Sequence, residues 1–312
     1  MIMAFTLLLG VGIVFIVLPA LILVLWFTKH RDPQDFDACP ECLLCDQYGQ
    51  WRESILSDIA WMRQQDHREV SIRSSDGISL KAEWYPRGDR LMILSHGYCA
   101  TPMNNFSGIS RAFLEAEWSL LTIYQRGHGK SEGRTTLGLA EADDLVRWAS
   151  WANEQANVRS IVIYGMSMGG AAINLCAPHT WPSRVKALIV DCAYSSVERQ
   201  MLDLHQMGTV IKHVLTPFMR LFMRLLIHVD TRRDGLALLR DACVPMFFIG
   251  GITDDSVSVD EVQRAYNACG ADRAICIVPN APHTLAWRVG GEELQSSVFA
   301  FIEKSIAIGG YK

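Results

Sequence analysis

The sequence predicts an α/β protein with a mostly parallel, doubly wound β-sheet, and two observations support this fold class. Short apolar runs rich in β-branched residues recur along the chain, and such runs are typical of buried strands. They lie at residues 91–95, 161–164, 245–249 and 274–278. Stretches of helical length separate them, at residues 105–117, 137–156 and 292–304. Strands that alternate with helices in this way form a parallel sheet with helices on both faces.

The composition sets the size of the domain and excludes some functions. The chain has 312 residues, of which 50% are hydrophobic, so one α/β domain over residues 69–312 accounts for most of its length. At its start, residues 70–80 alternate around Asp76 and Gly77, which predicts a hairpin and an antiparallel beginning of the sheet. The net charge is -4 without a basic block, which argues against a nucleic-acid partner. The sequence has no glycine-rich phosphate loop with a lysine, and we expect no cofactor and no metal.

Residues 165–169, GMSMG, are the most informative segment of the chain. The apolar run 161–164 before them predicts a strand, and residues 170–175 after them predict a helix. A serine between two glycines at a tight strand-to-helix turn stands above the sheet, where a histidine can reach its hydroxyl. We therefore predict that Ser167 is a catalytic nucleophile. The alternative is an ordinary glycine-rich turn.

The partner histidine is expected late in the chain, because serine, acid and histidine follow in that order around this type of turn. Of the nine histidines, His283 alone lies beyond a plausible acid and directly after a late predicted strand. Its loop leaves the carboxyl edge of the sheet, where ligands of parallel sheets bind. We predict that His283 is the catalytic base, against the alternative of a solvated loop histidine.

Two adjacent aspartates compete for the role of the acid. Asp254 and Asp255 both follow the strand predicted at residues 245–249. Successive residues point in different directions, so only one of them faces the imidazole, where it holds the tautomer and stabilises the imidazolium. The other one faces solvent or caps the helix that is predicted to start near Val259.

Six segments in the right order, over about residues 69–306, resemble the α/β-hydrolase superfamily. They are residues 95–98 (SHGY), residues 126–133 (RGHGKSEG), residues 165–169, residues 191–196 (DCAYSS), Asp254 and His283. The chain is similar to bacterial, membrane-anchored esterase-like serine hydrolases that carry a cysteine-aromatic-serine segment after the sixth strand. One departure is Gln125, which stands where that family has an aspartate. Because this block is structural in the family, we expect no loss of chemistry.

The resemblance implies the α/β-hydrolase fold with a helical cap insertion, and it selects between the two aspartates. Asp254 stands three residues after Gly251 and three before Val257, which is the usual spacing of this loop in hydrolases. We therefore favour Asp254 as the acid.

The resemblance also implies an oxyanion hole built from two backbone N–H groups. One belongs to Met168, directly after the nucleophile, and we assign the other to Tyr98, in the loop after the third strand. His96 precedes Gly97 in the same loop. We expect His96 to stabilise the loop rather than to take part in catalysis.

Residues 1–27 carry no charged side chain, and their only clearly polar one is Thr6. A helix of about 20 residues spans the bilayer core, so residues 1–28 predict one transmembrane anchor. A cleaved signal peptide is the alternative, but it would need a basic start and a shorter apolar run. A buried core helix is disfavoured because the segment is apolar all round. Lys29 and Arg31 follow the segment, so the positive-inside rule predicts a single-pass protein of the cell membrane with a cytoplasmic catalytic domain.

Residues 29–68 are interpreted as a juxtamembrane linker with a helical part. A linker of this length would make the anchor separable, so removal of residues 1–27 should leave hydrolysis of soluble esters intact. Cys39, Cys42 and Cys45 lie in this linker with two overlapping C-x-x-C spacings, which also occur in metal sites. An odd total of nine cysteines without a paired framework is typical of a reducing compartment. We therefore expect a packed linker or free thiols rather than a metal.

Residues 195–240 lie between the sixth predicted strand, which ends at the segment 191–196, and the loop that carries Asp254. This fold inserts its cap there. The stretch contains apolar residues at helical spacing. The set is Met201, Leu204, Met207, Val210, Ile211, Val214, Leu215, Phe218, Met219, Leu221, Phe222, Leu225 and Leu226. These residues either pack on the sheet or form an apolar wall over Ser167 for an acyl group, and both interpretations hold for different faces.

These features predict a serine hydrolase that cleaves carboxylic esters through an acyl-enzyme intermediate. Its expected substrates are small-molecule or lipid esters with apolar acyl groups near the membrane. A thioesterase, a lipase or a serine peptidase would use the same triad. A membrane-tethered binding protein on an inactive hydrolase fold is the alternative of a different class. It is disfavoured because both Ser167 and His283 are present.

Overall fold

One eight-stranded sheet organises the computed structural model, which describes residues 13–203 and 208–308. The strands are β1 (Arg68–Arg73), β2 (Ser79–Tyr85), β3 (Arg90–Ser95), β4 (Ser119–Ile123), β5 (Ser160–Met166), β6 (Val185–Asp191), β7 (Met246–Gly251) and β8 (Arg273–Val278). Their order across the sheet is β1-β2-β4-β3-β5-β6-β7-β8. Strand β2 is antiparallel to β1 and β4, and all other neighbours are parallel. The predicted mostly parallel sheet is therefore confirmed.

Helices follow most of the strands and lie on both faces of the sheet. They are α1 (Leu18–Thr28), α2 (Arg52–Met62), α3 (Pro102–Glu115), α4 (Glu141–Asn153), α5 (Met168–Cys176), α6 (Val197–Asp203), α7 (Thr209–Phe222), α8 (Gly235–Leu239), α9 (Val259–Ala268) and α10 (Ala286–Ala307), which is kinked at Gly291. Two 3₁₀ turns (Pro40–Leu43, Gly49–Trp51) and two π-helical turns (Ile13–Val17, Met223–Ile227) complete the described elements.

The central strand β5 shows why the sheet needs helices on both faces. Every residue of this strand is buried. Ile161 and Ile163 pack into the core on one face, whereas Val162 and Tyr164 pack into the core on the other. Because successive side chains of a strand point to opposite faces, a strand that is apolar at every position requires two layers of helices.

The first two strands form the predicted hairpin. Arg73 lies opposite Ser79 in the antiparallel pair of β1 and β2. In the turn, Gly77 has a φ of +85°, a conformation that glycine adopts without strain. Ser74 Oγ donates to Asp76 Oδ1 at 2.5 Å and fixes the start of the turn. The antiparallel beginning of the sheet is therefore confirmed.

The N-terminal segment begins outside the described residues. Residues 1–12, which make up the first part of the predicted anchor, are not among them. The described part of the segment is the π-helical turn Ile13–Val17 and α1. In α1, Ala20 and Val24 are fully buried against the domain. Within residues 13–203 and 208–308, no helix has both the length and the hydropathy that a membrane crossing requires.

The segment between α1 and β1 packs on the catalytic domain. It contains the predicted helical part, as α2 and the two 3₁₀ turns. Leu43, Ile55 and Ile59 are buried in a small core of their own. Arg63 forms ion pairs with Asp35 at 2.6 Å and with Asp37 at 3.0 Å, so contacts within the segment also connect its two ends. The segment therefore packs on the domain instead of forming a loose tether.

The cysteines of this segment differ from the prediction. Cys39 and Cys42 form a disulfide, with their Cα atoms 5.6 Å apart, a separation within the usual range of disulfides. Cys45 is an exposed thiol. The expectation of unpaired cysteines is therefore wrong for Cys39 and Cys42, and two of the thiolates that a metal would need are consumed.

The cap consists of α6, α7, the π-helical turn after α7, and α8. Leu204 and Met207 of the predicted apolar set lie outside the described residues. Leu215 and Met219 are buried on the inner side of α7, as the packing interpretation predicts. The outer side of the same helix is also apolar and exposed, which neither interpretation included.

Candidate active site

Ser167 lies in the turn between β5 and α5, and the two flanking glycines make this turn possible. Ser167 has a φ of 53°, in the left-handed region that is costly for a residue with a side chain. A Cβ atom on Gly165 would collide with the carbonyl of Gly169, and one on Gly169 would collide with the carbonyl of Ser95. The N–H of Ser167 donates to the carbonyl oxygen of Asp191 at 2.8 Å. The turn is therefore strained locally and fixed by the neighbouring strand.

His283 connects the serine to the acid. The imidazole Nε2 lies 2.9 Å from Ser167 Oγ, and Nδ1 lies 2.7 Å from Asp254 Oδ2. The side chain of Asp254 is 1% exposed and that of His283 is 16% exposed, so the hydrogen bond between them is shielded from water while the ring edge reaches the surface. The structure therefore brings together the three residues that the sequence predicts as nucleophile, base and acid.

The acid loop explains why Asp254 and not Asp255 meets the imidazole. Asp254 Oδ1 accepts hydrogen bonds from the backbone N–H groups of Ser256 and Val257, both at 2.8 Å. These bonds orient the carboxylate and leave Oδ2 for His283. Asp255 is exposed and accepts only from the Ser256 hydroxyl, at 3.1 Å. The N-cap of α9 is Ser258, so Asp255 faces solvent, as one of the two expected alternatives states.

The N-terminal segment fastens the loop that carries His283. Gln47 Nε2 donates to the carbonyl oxygen of His283 at 2.6 Å. The hydroxyl of Tyr48 lies 3.5 Å from Thr284 Oγ1, and Thr284 has a φ of 66°. Sequence reasoning missed Gln47 and Tyr48, because nothing in their pattern distinguishes them from surface residues of a linker.

A second buried carboxylate lies behind the triad. Asp191, at the end of β6, is fully buried, and the hydroxyl of Tyr164 donates to its Oδ2 at 2.8 Å. Burial raises the pKa of Asp191 to about 7, although the Tyr164 hydrogen bond and nearby His283 act in the opposite direction. Within the described residues, Oδ1 of this carboxylate has no hydrogen-bond partner. Asp191 is therefore more easily protonated than an ordinary carboxyl.

One group of side chains near the triad has metal-ligand chemistry. The donor atoms of Cys192, Asp254 and His283 lie within 4.8 Å of one another. The short contact in this group is the hydrogen bond between Asp254 and His283, which the triad already explains. Burial also raises the pKa of the Cys192 thiol well above its usual range. The arrangement therefore fits the triad with a neutral thiol beside it.

The loop after β3, which carries Gly97 and Tyr98 and is called the oxyanion loop below, runs alongside Ser167. A Cβ atom on Gly97 would lie 3.3 Å from the Cβ atom of Ser167, so the loop passes the serine without an intervening side chain. Tyr98 is the next residue. Met168 is the first residue of α5, where a backbone N–H has no acceptor within its own helix. Met168 is thus the neighbour of Ser167 in sequence, and Tyr98 lines the same cavity as Ser167. The catalytic role of their N–H groups stays a prediction.

His96 supports this loop, as expected. Its Nδ1 lies 2.8 Å from the carbonyl oxygen of Gly97, and its Nε2 accepts from the backbone N–H of Gln125 at 3.1 Å. Burial, together with the neighbouring imidazole of His128, lowers the pKa of His96 to about 3, so the ring is neutral and Nδ1 donates. Gln125 Nε2 donates to Ser95 Oγ at 2.7 Å, which is the structural role expected for this departure from the family.

His128 holds the other side of the same loop. Its Nε2 accepts from the backbone N–H of Cys99 at 3.1 Å, and Cys99 has a φ of 54°. Burial lowers the pKa of His128 to about 4. Arg126, two residues earlier, forms a buried ion pair with Asp144 at 2.6 Å. The block at residues 126–133 therefore positions the loop and does not reach the reacting groups.

A cavity of about 190 Å³ opens beside Ser167 and His283. Its walls are mostly apolar, and they come from parts of the chain that are far apart in sequence. They are formed by Phe27, Tyr98, Leu137, Tyr194 and Met201, with Gln200 and Ser256 as polar members. Of the predicted apolar cap set, Met201 is the residue that lines this cavity. Phe27 was not predicted here, because its segment has the composition of a membrane anchor.

The end of α1 is bound to the oxyanion loop. The guanidinium of Arg31 donates to the hydroxyl of Tyr98, and this hydroxyl donates to the carbonyl oxygen of Phe27 at 3.1 Å. The backbone N–H of Arg31 donates to the carbonyl oxygen of Gly127 at 2.7 Å. Burial raises the pKa of Tyr98, so its phenol keeps the proton that it donates. The last residues of the predicted anchor therefore contact the loop of Tyr98 and form part of the cavity wall.

Known proteins are similar to this chain in sequence or in fold. A family model described as alpha/beta hydrolase fold matches residues 90–234. The uncharacterized protein YqkD of Bacillus subtilis (strain 168) is 26% identical over 216 residues, which is 68% of this chain and 70% of that protein.

Solved structures of low sequence identity share the fold. An esterase from Pyrococcus furiosus has a TM-score of 0.61 at 22% identity, over 78% of this chain and 92% of that chain. Est1E from Butyrivibrio proteoclasticus, with ferulic acid bound, has a TM-score of 0.61 at 18% identity, over 76% of this chain and 99% of that chain. On the topology of its sheet, on the family-model match and on these likenesses, the chain has the α/β-hydrolase fold.

Proposed function

We propose that this protein is a serine hydrolase that cleaves carboxylic esters through an acyl-enzyme intermediate. The observation that carries the proposal is the continuous hydrogen-bonded series from Ser167 through His283 to Asp254. The solved structures that share the fold include an esterase, which supports an ester as the substrate.

The first half of the reaction transfers the acyl group to the enzyme. Ser167 Oγ attacks the ester carbonyl while His283 Nε2 takes the hydroxyl proton, and Asp254 stabilises the imidazolium that forms. The N–H groups of Tyr98 and Met168 bind the negative oxygen of the tetrahedral intermediate. The intermediate then collapses, and His283 gives its proton to the departing alcohol.

The second half returns the enzyme to its starting state. A water molecule gives a proton to Nε2 of His283 and attacks the carbonyl carbon of the acyl-enzyme. The second tetrahedral intermediate releases the carboxylic acid, and the proton on His283 returns to Ser167 Oγ. No cofactor takes part in this scheme.

The walls of the cavity favour an apolar acyl group. Phe27, Leu137 and Met201 are apolar and lie on the cavity at Ser167. Each methylene that leaves water completely contributes about 0.8 kcal/mol to binding. Even partial burial of the added methylenes should therefore raise kcat/KM at least severalfold from acetyl to about hexanoyl esters. A series of p-nitrophenyl esters on the detergent-solubilised full chain tests this, and a flat or falling profile removes the acyl-pocket part of the proposal. Matched thioesters in the same series test the thioesterase alternative.

The N-terminal segment adds a location to the proposed activity. Residues 1–27 are uncharged. Because α1 packs on the domain, the apolar residues before α1 are the part that holds the enzyme at the cell membrane. Lys29 and Arg31 favour a cytoplasmic catalytic domain, whereas a Cys39–Cys42 disulfide is more typical of an oxidising compartment. Labelling of an introduced surface cysteine by a membrane-impermeant reagent in intact cells decides the side. A full chain that stays in the soluble fraction after cell lysis contradicts the anchor.

A further inference from the structure

Two neighbouring helices share an apolar outer surface. Helix α1 packs along α7 of the cap. Their outward side chains include Leu18, Ile22 and Leu25 on α1, and Val214, Leu221 and Leu225 on α7 and the turn after it, all of them exposed. We call these six residues the outer apolar face. Monomeric soluble proteins rarely expose continuous apolar patches of this kind, and larger ones mark binding surfaces.

The outer apolar face follows from the spacing of its residues. Leu18, Ile22 and Leu25 are four and seven residues apart, so they form one stripe along α1. On α7, Leu215 and Met219 point inward and are buried, while Val214 and Leu221 lie on the outer side. A surface helix normally has one apolar side that packs and one polar side that faces water. Helix α7 has apolar side chains on its inner and on its outer side, which marks the outer side as a binding surface.

The charges around the outer apolar face indicate which apolar partner fits. Between residues 204 and 229 the sequence contains no aspartate or glutamate but three cations, Lys212, Arg220 and Arg224. Arg220 is paired with Glu198 at 2.8 Å, so it does not count among the cations that lipid would meet. Arg224 is exposed. Lys29 follows α1 and is exposed, and no acidic residue precedes it. A surface that is apolar in its centre and has cations at its edge matches the acyl region and the anionic headgroups of a lipid bilayer.

The residues that precede α1 are also apolar and uncharged. Residues 1–12 are uncharged, and they lead into the π-helical turn Ile13–Val17, where Val14 and Phe15 are exposed. The chain outside the described residues therefore joins this face at the start of α1. A segment of this composition is attracted to lipid rather than to a polar protein surface.

We propose that the outer apolar face docks on a bilayer that contains anionic lipids, with α1 and α7 lying along its surface. This docking goes beyond the proposed hydrolase activity and does not depend on it. In the docked state the apolar side chains enter the boundary between headgroups and acyl chains, and Arg224 meets lipid phosphates. Because Phe27 at the end of α1 also lines the cavity at Ser167, the docked surface adjoins the wall of the active site.

The test uses the full chain and vesicles of phosphatidylcholine with or without phosphatidylglycerol. The double variant Leu221→Asp/Leu225→Asp places two charges on the outer apolar face. The matched control is Ile308→Asp after α10, since Ile308 is 56% exposed and Leu225 is 59% exposed. Vesicle binding is measured by flotation, and hydrogen exchange is measured in the peptide that contains α7.

Docking predicts that mixed vesicles slow exchange in α7 by about tenfold, because those amides leave bulk water. The double variant should abolish this protection and lower the bound fraction severalfold, while Ile308→Asp behaves as the wild type. Arg224→Glu should weaken binding to the mixed vesicles and leave binding to neutral ones unchanged. Ser167→Ala should dock as the wild type does, so a failure of the hydrolase proposal is seen separately.

Two results would overturn the docking proposal. If α7 exchanges equally fast with and without vesicles while the protein still floats with them, residues 1–12 alone hold the membrane. If protection of α7 rises with protein concentration in the absence of lipid, the occupant of the outer apolar face is a second copy of this chain.

Discussion

The guanidinium of Arg31 donates a hydrogen bond to the phenol oxygen of Tyr98, which joins the N-terminal helix to the predicted oxyanion loop. The same guanidinium donates to the carbonyl oxygen of Trp26 at 2.5 Å and lies 4.7 Å from the centre of the Trp26 ring. It also lies 5.0 Å from the centre of the Tyr98 ring. A change in α1 is therefore transmitted to the residue whose N–H is assigned to the oxyanion.

Truncation of the N-terminal segment should affect activity only when α1 is removed. Removal of residues 1–12 should leave hydrolysis of a soluble ester nearly unchanged, whereas removal of residues 1–28 should lower kcat/KM by about tenfold or more, because small displacements of catalytic groups are costly. The reason is that the longer deletion removes Phe27, which lines the cavity and accepts from Tyr98. Circular dichroism of both truncated forms controls for folding. Equal activity of the two forms would show that α1 is dispensable, as the sequence alone suggested.

The second prediction isolates Arg31 from the rest of the helix. Arg31→Ala should lower kcat more than it raises KM, because Tyr98 then loses its donor and the oxyanion loop its position. A full loss of one oxyanion donor costs about 10²–10³ in kcat, so a displaced donor should cost less, about tenfold. Lys29→Ala is the control, since Lys29 is an exposed cation two residues away. A change confined to KM would place Arg31 in substrate binding instead.

The third prediction separates the two aspartates. Ser167→Ala and His283→Ala should each reduce kcat by about 10³–10⁶, because members of one triad act as a unit. Asp254→Asn should also cost much, since it removes the acceptor of the 2.7 Å hydrogen bond from His283. Asp255→Asn should be nearly neutral, because this carboxylate is exposed. Steady-state kinetics on one ester decide the assignment, and a damaging Asp255→Asn with a harmless Asp254→Asn would reverse it.

The fourth prediction follows from the buried carboxylate of Asp191. Its pKa is about 7 in the folded protein and about 3.9 in an unfolded chain. The folded state therefore binds this proton more tightly than the unfolded chain does. The proton adds its full contribution to the free energy of unfolding below about pH 3.9, and this contribution is lost as the pH rises through about 7. Asp191→Asn keeps the shape without the charge and should raise Tm more at pH 8 than at pH 5. Asp255→Asn is the control in the same calorimetric measurement. An equal gain in Tm at both pH values would contradict a buried Asp191 carboxylate that becomes charged between pH 5 and pH 8.

Ser167, Asp254 and His283, which the structure brings together, could be predicted because their constraints are local. The crowding around Gly165 and Gly169 requires glycine on both sides of Ser167, whose φ is 53°, and this requirement is visible in five residues of sequence. Asp254 and His283 were found because each follows a strand that is apolar at nearly every position. The choice between the two aspartates needed the resemblance to hydrolases, in which the acid usually has the spacing of Asp254.

The surroundings of the site could not be predicted, because they depend on packing between distant parts of the chain. An apolar segment has the same composition whether it faces lipid or protein, so nothing in residues 1–28 indicates that Phe27 reaches Ser167. Gln47 contacts His283 across 236 positions of sequence, which no local pattern encodes. The Cys39–Cys42 disulfide depends on a 3₁₀ turn that brings the two thiols together.

The central claim is that Ser167 is a nucleophile activated by His283, and covalent labelling tests it most directly. The full chain is treated at neutral pH with a fluorophosphonate, which phosphonylates an activated serine, and the modified peptide is identified by tandem mass spectrometry. We predict one adduct, on Ser167, which is lost in Ser167→Ala and strongly slowed in His283→Ala. The absence of any adduct in the folded wild type, or an adduct on another serine, would contradict this account.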